Sequence, residues 1–180
     1  MRTAAKRIAL PVVSAVCSLV YLAACQTLGP SKRPLSASLR TDSAQIGVRH
    51  SGIAYLAKIG FVYTNTTAKP VSKPGCGSPP SPVLEKKLND QWVAAYYPLY
   101  LMCLTKPDFM LESGQKYSGV LEFMAFEHGH HTGPELLVDS IDGIYRLRWD
   151  FAEGIDATAK GARRVQSISN EFRMVLSEEH

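Results

Sequence analysis

The chain is poor in cysteine, with four residues in 180, and no two of them form a Cys-x-x-Cys pair. That excludes paired-cysteine zinc ribbons and the thioredoxin-type redox motif. G-x-S-x-G, H-E-x-x-H and a phosphate-cradling glycine loop are also missing, so no local hydrolase, zinc-protease or nucleotide-binding signature is present. Beyond the N-terminus no apolar run approaches the ~20 residues of a spanning helix, which rules out a polytopic transporter. No long stretch carries helical periodicity, and charge is nearly balanced, with 20 Lys+Arg against 16 Asp+Glu. What is there is 46% hydrophobic and 20% charged, with 13 Gly and 11 Pro. Those proportions exclude a disordered chain, a collagen-like repeat and a coiled coil. The length suits one domain plus a targeting segment.

Arg2, Lys6 and Arg7 precede an apolar stretch from Ile8 to Ala24, broken only by Pro11, Ser14 and Ser18, the pattern of a secretory signal. It ends in Leu22-Ala23-Ala24-Cys25, which resembles the lipobox of bacterial lipoproteins. The resemblance implies cleavage of a signal peptide at 1–24 and a diacylglycerol on the Cys25 thiol, with no other cofactor. Cys17 is the poorer match, because Val16 stands where a lipobox has Gly, Ala or Ser. Gln26 in place of Asp implies, by the same resemblance, a cell-envelope protein at the outer membrane facing the periplasm, in preference to the inner membrane. The alternative is an ordinary secretory signal with an incidental Cys25. Removing 1–24 takes three basic residues and no acidic one, so the 20 basic residues fall to 17 against 16 acidic. No basic patch is visible in the sequence, and no nucleic-acid partner is implied.

Residues 25–42 read as the lipidated N-terminus and a flexible linker, polar and without apolar periodicity, too poor in apolar surface to offset its ordering entropy. A flexible tether of that length holds its domain on average ~20–25 Å from the lipid.

The remainder, 43–180, reads as an all-β domain: short β-branched and aromatic runs separated by Gly, Pro, Asn and Asp. Strands are expected at Gln45 to His50, Ile53 to Asn65, Val83 to Leu88, Gln91 to Tyr97, Phe109 to Glu112, Lys116 to Phe126, Ile144 to Asp150 and Asn170 to Leu176. Asn89-Asp90 reads as a tight hairpin turn. In Ile144 to Asp150 the residues Tyr145, Leu147 and Trp149 share one face, while Arg146, Arg148 and Asp150 share the other. The first set is expected in a core and the second in water. Glu153 to Ser167, rich in Ala, reads as a loop with one helical turn.

The motifs F-V-Y-T-N-T, L-E-K-K before Trp92, S-G-x-x-Y, D-G-I-Y-R-L-R and S-N-E-F-R-M-V resemble those of bacterial immunoglobulin-like domains. The likeness spans about residues 43 to 177. It implies an immunoglobulin-like two-sheet antiparallel β-sandwich of about 7–8 strands. It also implies a corner role for Tyr145, whose hydroxyl would tie to upstream backbone. Leu147 stands where antibody domains carry a Cys, so their inter-sheet disulfide is absent.

In an oxidising exported compartment Cys76 and Cys103 are expected to form a disulfide. Closing that loop would contribute ~3–4 kcal/mol in the chain-entropy model. A metal pair or a reactive thiol is the alternative, though neither Cys has a second Cys or His at ligand spacing.

Glu127-His128-Gly129-His130-His131 could present His128, His130 and His131 to Zn²⁺ or Cu²⁺, completed by Glu127 or Glu135. A polar loop of solvated imidazoles is the simpler account. Asp139, Ser140 and His131 form a triad only on paper, and the chain reads as no enzyme. Tyr96, Tyr97 and Tyr100, within an aromatic run from Ala94 to Met102, are the candidate binding residues. Core packing explains the same run, and periodicity alone does not separate the two. The expected function is a non-catalytic binding or structural module, anchored in the membrane by its lipid, with a protein or glycan partner in the envelope. An inhibitor or immunity protein blocking an envelope enzyme is the second reading, and a metal-binding lipoprotein the third.

Overall fold

The computed structural model describes residues 38–74, 80–97, 108–127, 129–130, 133–156 and 161–177. All of these fall in the unit Leu35–His180. Among the described residues the chain is all-β, with no helix. The strands are β1 (Leu39–Thr41), β2 (Gln45–Ser51), β3 (Ala54–Thr64), β4 (Val71–Lys73), β5 (Val83–Leu88), β6 (Gln91–Ala94) and β7 (Tyr96–Tyr97). They continue with β8 (Phe109–Leu111), β9 (Lys116–Phe126), β10 (Glu135–Leu136), β11 (Gly143–Glu153), β12 (Arg164–Ile168) and β13 (Phe172–Ser177).

Hydrogen bonding runs without a break in the order β6-β5-β11-β13-β2-β3-β9-β10-β7. Pairing is mixed: β13 with β2 and β10 with β9 are parallel, and the rest antiparallel. β2 pairs with β13 over Gln45 to Arg49 and with β3 over Arg49 to Ser51, so the strands make one continuous mixed sheet that curls round the core. A strand that divides its pairing between two neighbours leaves no mark on side-chain periodicity, which reports faces and not partners.

The core follows the expected alternation. Ile59, Phe61 and Tyr63 of β3 meet Tyr145, Leu147, Trp149 and Phe151 of β11, and all are buried. Trp149 packs edge-on to Phe61 at 5.2 Å and Tyr63 at 5.5 Å, and stacks on Phe109 of β8 at 5.9 Å. Thus the two arms of the sheet close on a shared aromatic layer. The end of β3 is fixed by Asn65, buried, whose Nδ2 donates to the Lys69 and Leu111 carbonyls at 2.9 Å each. Its Oδ1 accepts from Thr67 N and Oγ1, so every polar atom of that amide has a partner.

The fold begins earlier than residue 43. β1 lies in the stretch expected as linker: Leu39 is buried, and Ser38 Oγ bonds Ser167 Oγ at 2.9 Å. A single apolar residue among polar ones gives no periodicity to read. Likewise Glu153 to Ser167, expected as a loop, contains most of β12, which pairs with β11 from Arg148 to Ala152.

The corner expected at Tyr145 is formed. Its hydroxyl donates to the Ile141 carbonyl at 2.7 Å, and its ring is buried. Burial, reinforced by the Asp142 charge, pushes this phenol well above its ordinary value of 10.0. Burial raises Tyr63 too, against a hydrogen bond with Ser167 that lowers it. A folded value above the unfolded one means the native state keeps a proton that the unfolded chain releases. This contribution is intact below pH 10.0 and is lost as pH rises toward the folded value. Stability should therefore fall above about pH 10, by ~1.4 kcal/mol per unit for each such phenol. Tyr145→Phe should start ~1 kcal/mol lower from the lost hydrogen bond and decline less steeply. Denaturant midpoints across that alkaline range check it; parallel profiles for the two proteins would contradict it.

Candidate functional site

The outer face of β5, β6 and β11 collects the most organised polar chemistry among the described residues. Its geometry starts from the β5–β6 hairpin, where Asn89 and Asp90 both take positive φ, 48° and 62°. Two left-handed residues in a two-residue loop match the twist of the flanking strands and fix the register. Lys87 is thereby set opposite Trp92. On the other side β5 pairs with β11, placing Glu85 opposite Arg146. Because alternate β11 residues fill the core, Arg146, Arg148 and Asp150 must point the other way.

The result is a ladder of alternating charge. Glu85 Oε2 accepts from Arg146 Nε at 2.7 Å. Its Oε1 lies 2.7 Å from Arg148 Nε, in an ion pair whose N–H is not aimed along the contact. Arg148 Nη1 then donates to Asp150 Oδ2 at 2.9 Å, and Gln166 Nε2 of β12 donates to Asp150 Oδ1 at 2.9 Å. The Glu85 side chain is only 9% exposed, against 19% for Arg146 and 31% for Arg148. The Arg146 guanidinium lies 4.2 Å from the centre of the half-buried Trp92 ring, and the Lys87 amine is 6.0 Å from it.

Cations outnumber carboxylates on this face. Arg173, exposed on β13 opposite Ile144, extends the row beyond β11. Lys73 of β4, paired in register with Phe109, lies on the side of the sheet that carries the core, and its amine is held below its ordinary value, chiefly by burial, with Arg148 and Arg164 adding to the effect and Asp150 opposing it. The residues of the outer row are scattered from 85 to 173 in the sequence, so no local run betrayed the patch. The outer face of β3 and β9 is different in kind. There Lys58 pairs with Glu122 at 3.5 Å amid exposed Val62, Val120 and Met124.

The residues singled out from sequence fall elsewhere. Tyr96 is buried, with its ring edge-on to Phe123 at 5.1 Å, so it belongs to the core and not to a partner surface. Tyr97 lies in β7 with its backbone paired to Glu135. His130 is half-buried, its N–H donating to the Glu127 carbonyl at 3.2 Å and its ring 6.3 Å from Phe126. Among the described residues no group of three or more potential ligands comes together. Cys25, Cys76, Cys103, Tyr100, His128 and His131, with the signal 1–24, lie outside the described residues.

His50, which sequence reasoning passed over, pairs Nε2 with Glu127 Oε1 at 3.0 Å and stacks on Tyr55 at 4.7 Å. Asp139 and Ser140 belong to the corner beneath Tyr145. The Ser140 carbonyl accepts from Lys86, and its hydroxyl accepts from Asp142 N at 3.2 Å. Lys86 is itself buried; that burial lowers its pKa, while Asp142 and Asp139 oppose the shift. No protein-family model matches the chain, and no curated protein matches it significantly.

Proposed function

We propose that this chain is a lipid-anchored cell-envelope protein whose immunoglobulin-like domain works by binding and not by catalysis. The observation that carries the binding reading is the Arg146–Glu85–Arg148 ladder beside Trp92 on an open sheet face. Arg and Trp dominate binding energy at protein interfaces, and here the guanidiniums are held in place before any partner arrives. The sandwich reading is supported by the pairing on either side of the core. β1, β3, β9, β10 and β7 form one arm, and β2, β13, β11, β5 and β6 the other; they join where the end of β2 meets β3 and again at Ala95, which bonds Leu84 on one side and Leu137 on the other. The Tyr145 hydroxyl on the Ile141 carbonyl is the tie expected of a corner tyrosine.

Capture from envelope extract by the soluble Cys25→Ser form tests the module. One reproducible partner should be retained, and lost with Trp92→Ala, while Lys58→Gln on the opposite face keeps it. Retention of the same proteins by Trp92→Ala, or of none by the parent, would overturn the reading.

The anchor rests on Leu22-Ala23-Ala24-Cys25, which puts Cys25 where a lipobox has its acyl acceptor. Cys25→Ser should abolish palmitate labelling, and label persisting in the variant would refute it. In the mature, unreduced and unfolded protein, Cys76 and Cys103 should resist maleimide. Two free thiols there would remove the proposed disulfide.

A further inference from the structure

We infer that the β5–β6–β11 face docks an acidic surface of a protein partner, with Trp92 as its apolar anchor; this rests on the binding reading above. Arg146, Arg148, Lys87 and Arg173 face outward from adjoining strands, and the carboxylates beside them are Glu85, Asp150 and the fully solvated Asp90, whose Oδ1 lies 3.7 Å from the Lys87 amine. Glu85 is committed to two guanidiniums and nearly buried, so it positions them more than it repels a ligand. An arginine whose Nε is already held loses less freedom when its outer nitrogens meet a carboxylate. Trp92 is half-buried, and Ile144, 37% exposed, stands beside Arg173. Together they give the centre of the face apolar area that closes on contact.

Charge complementarity favours a protein over a polyphosphate. A nucleic-acid backbone presents phosphates at fixed intervals and calls for a line of uncompensated cations. Here Asp150 interrupts the line, holding Arg148 on one oxygen and Gln166 on the other. Acidic side chains on a folded partner can be spaced to meet Lys87, Arg146 and Arg173 while avoiding Asp150. Such complementarity steers encounter and fixes orientation.

The full chain in detergent micelles, titrated with fluorescein-labelled hexaglutamate, tests the charge preference. Binding should weaken several-fold between roughly 50 and 200 mM salt. Lys87→Gln and Arg173→Gln, both at exposed or half-exposed positions, should each weaken it about three- to tenfold. Trp92→Ala should weaken the envelope partner's binding about tenfold or more, with its melting temperature recorded alongside. Lys58→Gln removes the same charge from the opposite face and should leave hexaglutamate binding unchanged. An equal loss with Lys58→Gln would reduce the attraction to net charge and overturn the inference. So would no binding at low salt, tighter binding to a thymidine oligonucleotide, or a preference for phosphatidylglycerol over phosphatidylcholine vesicles exceeding that for hexaglutamate. Capture of an envelope partner that survives both Lys87→Gln and Arg173→Gln would leave the binding module standing and remove this assignment alone.

Discussion

Trp149→Ala is expected to cost ~3–5 kcal/mol, a large fraction of the stability of a domain this size. Trp149 is fully buried and lies within 6 Å of the ring centres of Phe61, Tyr63, Phe109, Tyr117 and Phe151. Those rings come from β3, β8, β9 and β11, so no single element can shift to refill the space. A cavity that cannot collapse adds its own penalty to the lost transfer energy. The indole N–H has no acceptor among the described residues, so truncation also removes one buried polar group that was costing stability. That relief is smaller than the packing lost. Arg148→Ala, on the opposite face of the same strand, should cost ~1 kcal/mol, since Arg148 links Glu85 to Asp150 while remaining partly exposed. Denaturant midpoints of the two variants decide it; equal midpoints would mean the faces of β11 are misassigned.

Much of the fold was legible because it depends on periodicity. The alternation from Tyr145 to Asp150 gave the faces of β11, and Asn89-Asp90 gave the hairpin that sets Lys87 opposite Trp92. The short strands β1, β4 and β10 were not legible: they have two or three residues each, and a period of two cannot be seen in so few. They form because neighbouring long strands offer unpaired backbone, which is a property of the assembled sheet. Tyr96 shows the same limit. Its aromatic run fits a core or an interface equally well until the chain crosses at Ala95 from pairing with Leu84 to pairing with Leu137.

The candidate site was less legible than the fold. In the sequence Arg146 and Arg148 read as a solvated face, yet β5 brings Glu85 between them. That contact joins residues 61 positions apart in the chain. Register creates the charge ladder, and register is decided by a turn and by core packing, not by the charged residues themselves. The absence of any basic run in the sequence was therefore no guide to the surface, where Lys87, Arg146, Arg148 and Arg173 gather from three strands.

Glu85→Gln should be the most damaging conservative substitution on that face, costing ~2–3 kcal/mol. The side chain keeps its shape but loses the charge that compensates two guanidiniums. Removing one partner of a buried ion pair typically costs ~3–5 kcal/mol, because the remaining charge stays desolvated. The arginines here are 19% and 31% exposed, so water recovers part of that loss and the lower figure follows. Replacing Glu85 and Arg146 together with Leu should cost less than Glu85→Gln alone, since the one guanidinium then left, Arg148, keeps its pair with Asp150. A double-mutant cycle between positions 85 and 146 should return a coupling of ~1–2 kcal/mol. The Lys58–Glu122 pair, whose side chains are 78% and 77% exposed, provides the contrast. There Glu122→Gln should leave the midpoint unchanged. If Glu85→Gln also stays within ~0.5 kcal/mol of the parent, the ladder is an ordinary surface pair. Its arginines would then not be pre-positioned, and the order expected among the binding variants would lose its physical basis.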